Sequence, residues 1–251
     1  MINELNSKDF AIVLRNVVSK DICKFASAEF RMVSTCVGLL NGNDDSNKEI
    51  GLTESFSIYS PIFTETLSLL IQPHIEEAVG KKLLPTYSYG RIYRTNARLD
   101  PHLDRSSSEY TISLCLENDP VHDDWQLVVK HKDKTLEYVS LGVGDVLIYP
   151  GRDLNHWREG AFKGTEQIQA FIQYVDAAGQ SRDLKWDGRP AMGMPWETAN
   201  ELVHGNLATQ MDTMKNANGE DGLEDQLPSV LDVIAGINND RILQLETLNV
   251  F

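Results

Sequence analysis

The sequence predicts an α+β fold in which N-terminal helices pack on an antiparallel β-sandwich or barrel. Three observations carry that prediction. Apolar residues recur at helical spacing through the first third of the chain, and from residue 86 the period falls to two. Seven strand-like runs then follow with no helix-sized connection between them, which parallel strands would require. A chain of 251 residues, 41% hydrophobic and 24% charged, is long enough to bury a real core within one domain.

The elements follow in order. Ser19-Lys20-Asp21 opens a first helix, in which Ile22, Phe25, Ala26 and Phe30 share a face. The polar segment 41–47 is a loop by composition. A second helix is predicted over 61–79, apolar at Ile62, Leu67, Leu70 and Ile75; Pro73 either kinks it or opens a new helix, and Gly80 ends it. Tyr87, Tyr89, Arg91 and Tyr93 alternate as the first long strand, with further strands over 110–116, 125–130, 135–139, 145–150, 155–158 and 166–175. The expected organisation is a helical support region over 1–84 with short strands between its helices, a strand core over 85–176, and a C-terminal extension over 177–251, all in one structural domain. The extension is partly helical, with a candidate helix at 229–237 and a polar run at 216–225. Residues 176–251 carry 13 acidic and 5 basic side chains.

Charge narrows the function classes. There are 37 acidic against 23 basic residues, a net charge of −14. Such a surface repels phosphate backbones and anionic lipid, so no nucleic-acid or membrane-surface partner is expected. No apolar run is long enough to span a bilayer, and MINELNSKDF lacks the basic and apolar regions of a secretory leader. Cys23, Cys36 and Cys115 are too few and too scattered for a disulfide frame or a thiolate zinc site, which points to a reducing, cytoplasmic setting. Cys115, inside the apolar strand-like run Thr111–Asn118, reads as a small core residue.

Among six histidines, His102 is the informative one, because it stands in Asp100-Pro101-His102-Leu103-Asp104-Arg105. In extended chain, residues i and i+2 point to the same side, so His102 and Asp104 can converge on one ion. Taken alone, the pattern is equally met by a surface histidine beside a carboxylate. The context favours a site: a second histidine, His156, lies 54 positions later, just after the turn–strand–turn segment Gly144-Asp145-Val146-Leu147-Ile148-Tyr149-Pro150-Gly151. Two imidazoles and one carboxylate on one face leave three positions of an octahedral ion open, the facial triad of non-heme Fe(II) oxygenases.

Tyr93-Arg94, Pro101-His102-x-Asp104, Trp125-Gln126-Leu127, Gly144–Gly151 and His156 together resemble the 2-oxoglutarate-dependent Fe(II) oxygenases, in particular their prolyl-4-hydroxylase-like branch, over about residues 85–176. The resemblance implies a double-stranded β-helix (jelly-roll) barrel holding Fe(II) at its open end on His102, Asp104 and His156. It implies O₂ and 2-oxoglutarate as co-substrates, giving succinate and CO₂, and a C–H bond of a peptidyl (prolyl-type) or small-molecule substrate as the target. A hydroxylase is expected rather than a halogenase, because halogenases of this kind lack the carboxylate and Asp104 is present. The alternative is a barrel that has lost turnover and serves as a binding or structural module; a cupin-type metalloenzyme with the same ligands is a third reading.

The chain departs from its relatives at the co-substrate anchor. Where the family carries Arg or Lys after Gly-Thr, this sequence has Gly164-Thr165-Glu166, ten positions after His156. A glutamate cannot hold a carboxylate without a proton or a bridging cation. Arg158 shares the His156 side of its strand and can replace the anchor, helped by the Tyr93 hydroxyl, unless it pairs at an edge with Glu159 or Glu166. Lys163 and Arg91 are the other available cations. Gln167, Gln169, Phe171 and Gln173 share one strand face, which either is solvated or lines the co-substrate pocket. Arg105 is a candidate substrate contact at the barrel mouth, and the segment 185–190 around Trp186 either closes over the site or packs. His122 with Asp123 and Asp124 reads as loop, and His131 as a solvated hairpin end.

Overall fold

A six-stranded antiparallel sheet frames the site. The computed structural model describes residues 8–40, 52–119 and 125–193. The expected loop at 41–47, the group 122–124, the run 216–225 and the helix candidate 229–237 lie outside them. The described residues from 8 to 188 belong to one compact unit. The helices are α1 (Lys20–Leu40) and α2 (Ile62–Val79). The strands are β1 (Ile12–Leu14), β2 (Leu52–Tyr59), β3 (Leu83–Leu99), β4 (Tyr110–Glu117), β5 (Leu127–Lys130), β6 (Leu136–Val139), β7 (Val146–Tyr149), β8 (Asn155–Arg158) and β9 (Glu166–Asp176).

The large sheet runs β1-β7-β4-β9-β3-β2 and a smaller one β6-β5-β8. Of the short strands expected between the N-terminal helices, the described residues show β2; β1 precedes α1, and the two extend the large sheet at its edges. Among the described residues, no helix is long and apolar enough to cross a membrane.

Both faces of the large sheet are covered, which decides where each strand residue points. Ile168, Ala170, Ile172 and Tyr174 of β9 join Ile112, Leu114, Val146 and Ile148 in one core, together with Phe30 of α1 and Leu67, Ile71 and Ile75 of α2. The opposite face of β3 and β7 supplies Tyr93, Leu147 and Tyr149 to a second core with Trp125, Leu127 and Val129. Because strand side chains alternate, Gln167, Gln169 and Gln173 must face this second core, and all three are buried. The solvated reading of the Gln face is therefore corrected.

The helices are positioned by simple devices. Ser19 Oγ accepts the Ile22 N–H at the start of α1. Gly80 ends α2 in the left-handed region at φ 66°, its N–H donating to Glu76 O. Pro73 sits inside α2 without dividing it, as the lost ladder bond is outweighed by the buried Ile71 and Ile75 on either side.

Candidate metal centre and cavity

After β3 the chain crosses to the smaller sheet, where His102 and His156 exchange backbone hydrogen bonds of 3.1 and 3.0 Å. The two rings then lie with centroids 4.3 Å apart. Each Nδ1 meets the carbonyl oxygen two residues upstream: His102 with Asp100 O at 2.8 Å, His156 with Leu154 O at 3.0 Å. A carbonyl can only accept, so both Nδ1 atoms carry the proton and both Nε2 atoms keep a lone pair. The tautomers are thus assigned by the hydrogen bonds. Burial pushes the His156 pKa down, keeping that ring neutral and able to ligate.

Asp104 closes the triad. Its N–H donates to Gly151 O at 2.9 Å, and its Oδ2 accepts from Thr111 Oγ1 at 2.7 Å. Oδ1 is left 3.9 Å from His102 Nε2 and 3.6 Å from His156 Nε2. One ligand atom from each of the three residues lies within 4.8 Å of the others. A β-carbon on Gly151 would overlap Asp104 Oδ2 and Thr111 Oγ1, so the turn after β7 approaches the carboxylate at a distance only glycine allows. Two lone pairs and a carboxylate oxygen converging at these distances fit a divalent metal.

The triad opens into a cavity of about 500 Å³, also lined by Tyr87, Arg91, Tyr149, Phe171 and Gln173. That volume is in the range of small-molecule sites. Arg158 lies behind this lining, buried, with its guanidinium 4.9 Å from the Trp125 ring centroid and 5.6 Å from that of Tyr93. Nη1 donates to Trp125 O, while Nε has no hydrogen-bond partner among the described residues. It forms no ion pair with Glu159 or Glu166, so the edge-pairing alternative does not hold. Burial lowers its pKa, as expected for a cation held away from water without a carboxylate. Tyr93 Oη and Gln169 Nε2 are likewise buried without a partner. Cys115 is close to both Arg158 and Gln169; burial drives its thiol up to about 12 while Arg158 pulls the other way, so it is an inert core residue.

The other sequence candidates are distributed as follows. Glu166 faces α1, where Arg31 pairs with it at 2.6 Å and with Glu117 at 2.6 Å. Lys163 is exposed. Arg91 reaches the cavity, its Nε donating to Ser57 Oγ at 2.9 Å. Arg105 lies at the mouth, 3.8 Å over the Tyr87 ring, and pairs with Asp187 at 2.6 Å. Asp187 also accepts from Tyr59 Oη at 2.6 Å. Of the segment around Trp186, then, the residue that fastens it to the mouth is Asp187. His131 is not a free hairpin end: Nδ1 meets Asp9 at 2.8 Å and Nε2 meets Glu137 at 3.0 Å.

Sequence reasoning missed Thr111, Gly151 and Asp187. Thr111 was open to detection, since it shares the β4 face of Ser113 and Cys115, where polar side chains in a covered sheet need a purpose. Nothing local marks Asp187, whose partners are 128 and 82 positions away.

No family profile and no curated protein matches the sequence. Solved structures do share the fold. The chain is similar to a Pseudomonas putida prolyl-4-hydroxylase at 14% identity and TM-score 0.52, over 70% of this chain and 96% of that one. It is similar to AviO1 from Streptomyces viridochromogenes at 15% identity and TM-score 0.53, over 71% and 94%. HygX from Streptomyces hygroscopicus, solved with nickel and 2-oxoglutarate bound, aligns at 12% identity and TM-score 0.52, over 70% and 86%.

Proposed function

We propose that this protein is an Fe(II)- and 2-oxoglutarate-dependent oxygenase of the prolyl-4-hydroxylase-like kind, hydroxylating a C–H bond of a peptidyl or small-molecule substrate in the cytoplasm. The observation that carries the reading is the convergence of His102 Nε2, His156 Nε2 and Asp104 Oδ1, with both tautomers set for a metal. The fold neighbours support it, among them the nickel- and 2-oxoglutarate-bound HygX. A double-stranded β-helix over 85–176 is supported by the sheet orders β7-β4-β9-β3 and β6-β5-β8, the latter extended by the His102 bridge.

Iron, O₂ and 2-oxoglutarate would supply the oxidation, with succinate and CO₂ as co-products. The chain's own part is to bind, orient and exclude water. His102, Asp104 and His156 would hold the ion; Asp100 O, Leu154 O and Thr111 Oγ1 fix these three side chains. Arg158 Nε, Tyr93 Oη and Gln169 Nε2 are three buried groups able to donate that have no hydrogen-bond partner among the described residues. We assign them to the far carboxylate of 2-oxoglutarate, with Arg158 supplying the charge that Glu166 cannot. Buried Tyr149 packs against the His156 ring at 4.8 Å, and Trp125 and Phe162 wall the deep end, keeping water from the reacting centre.

A non-catalytic module is the second reading, favoured by Glu166 at the usual anchor position. Purified protein with Fe(II), O₂ and 2-oxoglutarate should form succinate, and His102→Ala should abolish it. Anaerobic Fe(II) with 2-oxoglutarate should give a visible charge-transfer band. Iron binding with neither band nor succinate would establish the module instead.

A further inference from the structure

Among the buried polar atoms of the described residues that have no partner are those of Tyr93, Gln169 and Gln173 on the large sheet and of Arg158 on β8, and these four divide by chemistry. Arg158 Nε and Gln169 Nε2 can only donate and the Tyr93 hydroxyl can donate, whereas Gln173 Oε1 can only accept. An acceptor cannot serve a carboxylate, so Gln173 has a different occupant from the other three. It also stands at a different level of the barrel. Its cross-strand partner is Thr111, the residue that holds Asp104, so Gln173 is beside the metal face rather than at the Arg158 end. Its side chain lines the cavity although the residue is only 3% exposed.

Two neighbouring hydroxyls are already engaged, Thr111 with Asp104 and Tyr87 with Ser108. An amide oxygen buried without a donor is costly to hold, which makes the missing donor a ligand's. The charge at the mouth is balanced: Arg105 is paired with Asp187, which also holds Tyr59. Arg105 therefore offers the ligand a flat guanidinium stacked on Tyr87 rather than an unmatched charge.

We propose that Gln173 is a substrate-binding residue, and that the substrate is a compact neutral molecule presenting a hydroxyl or amide N–H to Gln173 Oε1. This rests on the oxygenase reading above and deepens it. The hydrogen bond fixes the donor beside the metal face, so the C–H adjacent to that donor is the one presented for reaction. Size agrees: a cavity of about 500 Å³ shared with a keto acid admits a small molecule but not a folded chain.

The test uses Mn(II) and 2-oxoglutarate bound to the full chain and reads the paramagnetic relaxation of probe protons. Cyclohexanol can donate to Gln173; cyclohexyl methyl ether, similar in shape, cannot. Cyclohexanol is expected to bind about five-fold more tightly than the ether, the worth of one net hydrogen bond. Gln173→Leu, which keeps the bulk, should bring that ratio to about one, while Gln173→Glu, which keeps an acceptor, should preserve it. Mn(II) titration of each variant confirms that its site is folded. Mn(II) binding without discrimination in the unmodified protein, or discrimination that survives in Gln173→Leu, overturns the assignment to Gln173 alone. Absence of Mn(II) binding in the unmodified protein overturns the oxygenase reading and the inference with it.

Discussion

Thr111 Oγ1 donates to Asp104 Oδ2 at 2.7 Å, and that single bond decides which carboxylate oxygen faces the two imidazoles. A free carboxylate could rotate and chelate an ion through both oxygens; tied by Thr111, it offers Oδ1. Thr111→Val should lower Fe(II) affinity about ten-fold, in the range seen when groups behind a metal ligand are removed. Thr111→Ser should restore it. Anaerobic metal titration of the two variants checks the pair.

Gly151 is the steric counterpart of that bond. Gly151→Ala would drive a methyl group into Asp104 Oδ2 and Thr111 Oγ1. The expected outcome is a folded protein with an unchanged far-ultraviolet spectrum and little metal affinity. Retention of full affinity would show that the turn can move aside without disturbing the carboxylate.

Arg158 sets function against stability. A buried guanidinium with no carboxylate destabilises the unliganded fold, so Arg158→Met should raise the melting temperature of the free protein, by about 1 kcal/mol or more in stability. The same variant should lose saturable 2-oxoglutarate binding. Arg91→Ala, which removes a cation from the cavity wall but not from the deep end, should leave 2-oxoglutarate binding in place. Calorimetry and the charge-transfer titration read the two effects separately.

His131 predicts a pH dependence. Burial alone would lower its pKa, but hydrogen bonds to Asp9 and Glu137 raise it above the unfolded value of about 6.5. The charged clamp therefore stabilises fully below about pH 6.5, as long as the carboxylates are ionised, and its contribution fades as pH rises through the folded-state pKa. His131→Gln should flatten the fall in melting temperature between about pH 6 and pH 8. An unchanged slope would assign the pH dependence to other groups.

Glu166→Arg tests where the anchor position points. A basic residue there should not improve 2-oxoglutarate binding, because the side chain at this position faces α1 and its Arg31. It should lower the melting temperature by replacing an ion pair with two like charges.

These cases show what a sequence makes legible. The strands were readable because a period of two survives in β3, β4 and β9. The triad was readable because i and i+2 on extended chain is a local relation that needs no knowledge of the fold. The inward side of β9 was not, because α1 and α2 cover one face and the smaller sheet covers the other, so hydrophobicity no longer marks a solvent side. Gln169 and Ile168 are both fully buried, and only the packing of the whole sheet tells them apart. The partners of Glu166 and Arg105 were hidden for a different reason: Arg31 and Asp187 reach them from 135 and 82 positions away.

β8 carries both His156 and Arg158 on the same side of four residues, and it is aligned by its ladder to β5. A slip of one residue in that ladder would turn both side chains outward together. On the proposed function, ligation and co-substrate capture are geared to one rail: damage to β5 or β8 should extinguish them as a pair, and recovery of either on refolding should announce the other.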